Sequence, residues 1–323
     1  MRRAIACLLL ACTLTRCTHL GRRATIYYTA AAIRLSPNPV RFTLKRSFIE
    51  AYKDRVTIET NFTVDEASGG PAPNLFDGDF HFAGRAPEIG LRLVAEIVNA
   101  ADADSAVALV KHAAKSHRAF PMTGAWRLWP EHALGAPEEQ GQPMAPLENP
   151  YPDHVFEVHP VTRVGGIGLL DTFHPVEGYR PGAAKRTFGI YQKAELGLRV
   201  TPTTVTFETP PSLFNDVHFL MEITGARQDI VEGGRFVTAS ALDTDGNLLV
   251  EGLRMVFIKG TAPERAVSSL RRGDRLHVYG LPRVSFAEVS RRVRAAGNRR
   301  DPLEGPLPYE LVILGVFPTT SVP

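Results

Sequence analysis

At 323 residues, with 44% hydrophobic and 22% charged side chains, the chain is long enough for two ordinary hydrophobic cores and longer than one comfortably needs. A formal net charge of +3 excludes a whole-protein electrostatic pull toward nucleic acid or an anionic membrane. All three cysteines, Cys7, Cys12 and Cys17, lie near the amino terminus, so the rest of the chain carries neither a disulfide nor thiolate chemistry.

Arg2 and Arg3 form a positive region, followed by an apolar run from Ala4 to Ala11. The run is too short to span a bilayer but suits the core of a signal segment. Leu9-Leu10-Ala11-Cys12 has the form of a bacterial lipobox, which would lipidate Cys12. Cys17 fits less well, because Arg16 stands where a small residue is wanted. The rival reading is a misassigned start codon or an uncleaved segment. Residues 1–20 are therefore expected to be a signal or lipoprotein segment. The protein is expected to be exported and held at the periplasmic or outer-membrane surface by lipid.

From there the chain reads as two copies of one plan of elements, repeated in order rather than in sequence. In the first copy, Val56, Ile58, Phe62 and Val64 alternate with polar residues, the period of a half-buried strand. The Gly/Pro-rich stretch 68–73 is a turn, and Phe80 and Phe82 alternate in a second strand. A third strand covers about 91–98. A helix with caps at Asp102, Asp104 and Ser105 runs to Ser116, and strands follow over about 120–129 and 154–164. In the second copy, strands are expected at about 219–223, 236–242 and 248–258. A helix begins at Pro263 and stops at Gly273, and strands follow at 275–284 and 309–317.

Three strands, a helix and two strands is the order of an OB-fold. The expected fold is therefore mainly β: two tandem OB-type five-stranded barrels, each with one helix between strands three and four. The expected domains are 21–165 and 201–323, with 166–200 as a linker that includes an extra hairpin.

The first copy places unusual polar residues on strands. Asp77, Asp79 and His81 recur at spacing two, as do Glu157 and His159, and Glu96 interrupts the apolar stretch 94–98. Spacing of two puts each set on one strand face. If Phe80, Phe82, Phe156 and Val158 fill the barrel, the acids and imidazoles point outward, and barrel order brings Glu96 between the two sets. Strand propensity disfavours Asp, so the pattern needs a cause. One cause is a divalent metal at His81, Glu157 and His159, which can activate water. The other is hydrogen bonding that fixes the barrel seam or holds a ligand.

The motifs Asp77-Gly78-Asp79-Phe80-His81, Val94-Ala95-Glu96-Ile97, Thr123-Gly124-Ala125 and Phe156-Glu157-Val158-His159-Pro160-Val161 resemble a recurring pattern in uncharacterised bacterial proteins with an OB-like, nuclease-like domain. The resemblance spans about residues 75–165. It implies a fold and a shared site more than an activity, and the arginine and carboxylate arrangement of staphylococcal-type nucleases is not among its matches.

Other candidates are weaker. Trp126, Trp129 and His132 end strand four beside Glu131, where aromatics either stack a base or sugar or close the barrel mouth. The loop 130–153 carries five carboxylates and no Lys or Arg, which disfavours phosphate backbones there. Arg291, Arg292 and Arg294, with Arg299 and Arg300, crowd the loop 285–308. They suit an anionic polymer or lipid, or else form the solvated face of a helix whose Phe286, Val289 and Val293 turn inward. Asp243 to Asn247 has a calcium-loop flavour but lacks the downstream bidentate Glu, and reads as a hairpin turn. The leading functional reading is a non-enzymatic ligand-binding or scaffold lipoprotein with no certain cofactor and an unspecified protein partner. The alternative is a metal-dependent hydrolase acting on phosphodiesters.

Overall fold

The computed structural model describes residues 39–72, 77–133, 137–210, 214–297 and 301–317. Cys12, Arg299 and Arg300 lie outside them. In chain order the strands are β1 (Val40–Lys45), β2 (Thr57–Ala67), β3 (Phe80–Arg85), β4 (Leu93–Ile97), β5 (Ala119–Leu128), β6 (Glu138–Glu139), β7 (Phe156–Val164) and β8 (Ile167–Gly168). There follow β9 (Glu195–Val200), β10 (Thr204–Thr209), β11 (Val217–Val231), β12 (Gly234–Leu242), β13 (Leu248–Ile258), β14 (Arg275–Val284), β15 (Leu303–Pro306) and β16 (Tyr309–Val316).

Two closed five-stranded barrels result, as the alternation of apolar residues predicts. The first runs β2-β3-β4-β7-β5 and closes from β5 to β2; the second runs β11-β12-β13-β16-β14. In each, strands three and five pair parallel, β4 with β7 and β13 with β16, and the remaining ladders are antiparallel. That is OB-type order. Phe80, Phe82, Phe156 and Val158 are buried in the core, and the expected helix Asp104–Ser116 packs on β2 through Ala106, Val107 and Val110. Its counterpart Ala262–Val267 starts on Thr261, whose hydroxyl accepts from the Glu264 amide, and ends earlier than Gly273.

A third sheet was not foreseen. It has the order β15-β9-β10-β1-β6. The β9–β10 hairpin comes from between the barrels, β1 from before the first, and β6 and β15 from the two loops that join strands four and five. Those loops are thus tied into a sheet rather than held free over the barrel mouths. Phe42 stacks on Phe207 at 4.7 Å to form its core side.

The ladder registers also reveal a short repeat of sequence, where order alone was expected. Arg127 on β5 faces Glu157 on β7, and Arg283 on β14 faces Glu310 on β16. Three residues before each arginine stands a glycine, Gly124 or Gly280, where the ladder shifts register. Before each glutamate stands an aromatic residue, Phe156 or Tyr309. A Cβ on Gly124 would meet Val158 Cγ1 at 2.4 Å, and one on Gly280 would meet the Val312 carbonyl at 2.5 Å, so both strands approach too closely for a side chain.

The two arginines join the barrels about an approximate two-fold relation. Arg127 Nε donates to the carbonyl of Pro282 at 3.0 Å, and Arg283 Nη1 donates to the carbonyl of Trp126 at 3.1 Å. Each arginine thus bonds the residue preceding the other. One continuous apolar cluster includes Phe62 and Phe82 of the first barrel and Phe219 and Val278 of the second. Among the described residues no helix is long and apolar enough to cross a membrane.

Candidate functional site

The strand period brings Asp79, His81, Glu96, Glu157 and His159 together on the outer wall of the first barrel. His81 faces Glu96 directly across the β3–β4 ladder, and Val94, two residues before Glu96, faces Glu157 on β7. Glu96 Oε2 lies 3.1 Å from His81 Nε2 and 3.1 Å from His159 Nδ1. Asp79 Oδ2 lies 3.2 Å from His159 Nε2. Asp77 adjoins the group by accepting from the Asp79 amide at 3.1 Å, with a positive φ of 133°.

A second tier extends the cluster. Glu157 Oε2 pairs with Arg127, its Oε1 lies 3.1 Å from His154 Nε2, and Arg127 also reaches Glu131 at 3.2 Å. His132 stacks on His154 at 5.1 Å. Sequence reasoning missed Arg127 and His154. The Arg–Glu repeat was the available signal for the first; nothing singled out the second.

The expected outward face is covered. Asp79 is 5% exposed, Glu96 2%, and Glu157 and His159 1% each. Tyr151, from the acidic loop, lies over His81 at 5.0 Å between ring centres. The second barrel supplies Tyr279, Leu281 and Leu314, and the connecting segments supply Val176, Tyr179 and Asp216. Together with Asp77, Asp79, Val98 and His159 these line a partly open space of about 20 Å³, room for one water or ion.

Burial and mutual charge oppose each other here. Burial alone would raise Glu96, but the charges of His159 and His81 outweigh it and hold the carboxyl at about 2. Burial would lower His81, but Glu96 above all carries it up to about 9. His159 is raised in the same way, chiefly by Glu96. Burial dominates at Asp79 and Asp77, whose carboxyls are pushed up, and at Asp216, pushed up to about 6. Burial also drives Glu131 up to about 8 and His132 down to about 4.

One ligand atom from each of Asp79, Glu96 and His159 lies within 4.8 Å of the others, a spacing able to hold a cation. The sequence placed a metal at His81, Glu157 and His159. Glu157 lies 3.6 Å from His159 while pairing with Arg127, and Asp79 and Glu96 come closer to His159, at 3.2 Å and 3.1 Å.

Of the two readings of Trp126, stacking a base or sugar and closing the barrel, its surroundings fit the second. It is fully buried, stacked on Phe286 at 4.3 Å and covered by Arg283 at 3.7 Å, so both ring faces lack room for a base or sugar. Its indole donates to the Arg55 carbonyl, and Trp129 is buried likewise. His132 keeps partial exposure beside Glu131. The basic segment forms the helix Phe286–Ala296 with Phe286, Val289 and Val293 buried. Arg291 and Arg292 both pair with Glu288, and Arg294 lies 3.5 Å from Glu50, so each meets a carboxylate within the chain. Asp243 accepts from the Asn247 amide at 2.8 Å in a hairpin turn.

Comparison with family models and with curated proteins gives no match. Among solved structures, one described as "Structural mimicry for functional antagonism" pairs with 84% of this chain and 90% of its own at 10% identity. Its TM-score of 0.17 carries no argument about fold or function.

Proposed function

We propose that this chain is a non-enzymatic binding or scaffold protein of the cell envelope, anchored by lipid at Cys12. The observation that supports the non-enzymatic half is the burial of Asp79, Glu96, Glu157 and His159 in the acid–imidazole cluster. Its heads converge, as a hydrolase would need, but the second barrel and Tyr151 lie over them, and the cavity beside them admits one small species rather than a substrate. The envelope half is supported by Arg2, Arg3, the apolar run after them and Leu9-Leu10-Ala11-Cys12.

Two measurements test this reading. Radiolabelled palmitate fed to expressing bacteria should enter the wild-type chain and not Cys12→Ser. The purified protein, supplied with Zn²⁺ or Mn²⁺, should hydrolyse bis-p-nitrophenyl phosphate no faster than buffer. Label-free wild type would remove the anchor, and turnover abolished by His159→Ala would replace the scaffold with the hydrolase alternative.

A further inference from the structure

We propose that Asp79, Glu96 and His159 bind one first-row transition-metal dication of the zinc class, which fastens the outer wall of the first barrel beneath the second. The inference goes beyond the scaffold reading and does not depend on it.

The first observation is a mismatch between distance and direction. The ring nitrogens of His159 lie 3.1 Å and 3.2 Å from carboxylate oxygens of Glu96 and Asp79. Neither makes an aligned hydrogen bond, although both are buried. Buried polar atoms usually make aligned hydrogen bonds, whereas these two have carboxylate oxygens in ion-pair range without that alignment. His159 Nε2 and Asp79 Oδ2, 3.2 Å apart, have the ~3.3 Å spacing of two ligands ~2.0 Å from one tetrahedral ion, and Glu96 offers a third atom within 4.8 Å of them.

The second observation is the other barrel. Matching the two Arg–Glu pairs and their ladders puts Phe236, Val256 and Val312 at the positions of His81, Glu96 and His159. All three belong to one buried apolar cluster. The fold therefore closes at this wall with hydrophobic side chains. Replacing a buried ionic group by such residues is commonly neutral or stabilising, so barrel closure does not account for the charged set in the first barrel.

The third is space. Asp79 and His159 line a space of about 20 Å³ that faces Tyr279, Leu281 and Leu314 of the second barrel, and Glu96 stands behind His159, 3.1 Å from its Nδ1. An ion there touches the first barrel and lies against the second. An imidazole with two carboxylates suits Zn²⁺ and its neighbours, whereas Ca²⁺ prefers six or more oxygens.

The test uses the full chain, stripped with a chelator and titrated with Co²⁺, Zn²⁺ and Ca²⁺. The expected results are one ion per chain by elemental analysis, a visible Co²⁺ ligand-field band that Zn²⁺ abolishes and Ca²⁺ leaves, and a higher unfolding temperature with Zn²⁺. Asp79→Asn and His159→Ala should each weaken Zn²⁺ binding by at least about tenfold, while Glu131→Gln binds as wild type. Where His159→Ala fails to fold, Asp79→Asn and the wild-type titration decide. Stripped wild type that is folded by circular dichroism yet takes up no Zn²⁺ or Co²⁺ overturns the proposal. So does unchanged binding in Asp79→Asn, or displacement of Co²⁺ by Ca²⁺.

Discussion

Glu131 shows how burial, with the nearby charges of Glu157 and Glu96, can shift a residue's protonation. Its carboxyl reaches Arg127 at 3.2 Å, yet burial outweighs that attraction and raises it from the ordinary value to about 8. In the unfolded chain the same group ionises near 4.5. Between those values the folded protein holds a proton that the unfolded chain has released. This contribution to stability is therefore whole below about 4.5 and declines as pH rises toward the folded value. Glu131→Gln should flatten the fall in unfolding temperature across that window relative to wild type. Parallel curves for the two proteins would show that Glu131 is already ionised. The sequence flagged Glu131 and His132 only as polar neighbours of two tryptophans; which of them changes its charge depends on what lies above them in space.

At the scale of single elements the strands were legible because apolar residues alternate along them, and both barrels appear where that period placed them. β13, for instance, spans the expected 248–258, and the helix Asp104–Ser116 fills the expected slot. The missed pieces belong to the third sheet, in which β1 and β10, six residues each, alternate in burial and two other strands are shorter still. β6 has two residues and β15 four, too few to show any period, and both are strands only because β1 and β9 lie beside them. Glycine placement was equally opaque, since only the ladder shows what a side chain would strike. Gly280→Ala should cost about 1–3 kcal/mol of unfolding free energy, the usual range for overpacking, because a Cβ there meets the Val312 backbone. Urea denaturation with an unchanged midpoint would mean that β16 yields easily.

The whole molecule is joined by more than a linker. Arg127 and Arg283 each donate across to the opposite barrel, the third sheet takes strands from both barrels' loops, and one apolar cluster runs through both. Separable domains would unfold in two steps; this arrangement should unfold in a single calorimetric transition, with calorimetric and van't Hoff enthalpies that agree. Two resolved transitions would show the barrels to be independent. The chain's own residues determined the repeated barrel plan and the gathering of Asp79, His81, Glu96, Glu157 and His159, because both follow from a period of two along paired strands. Tertiary structure alone decided that this polar wall is covered and that Glu157 is shared among Arg127, His154 and His159. It alone set Asp79 and Glu96 as the groups nearest His159. Burial and partner choice depend on what other segments bring to the same place, and no local pattern encodes that.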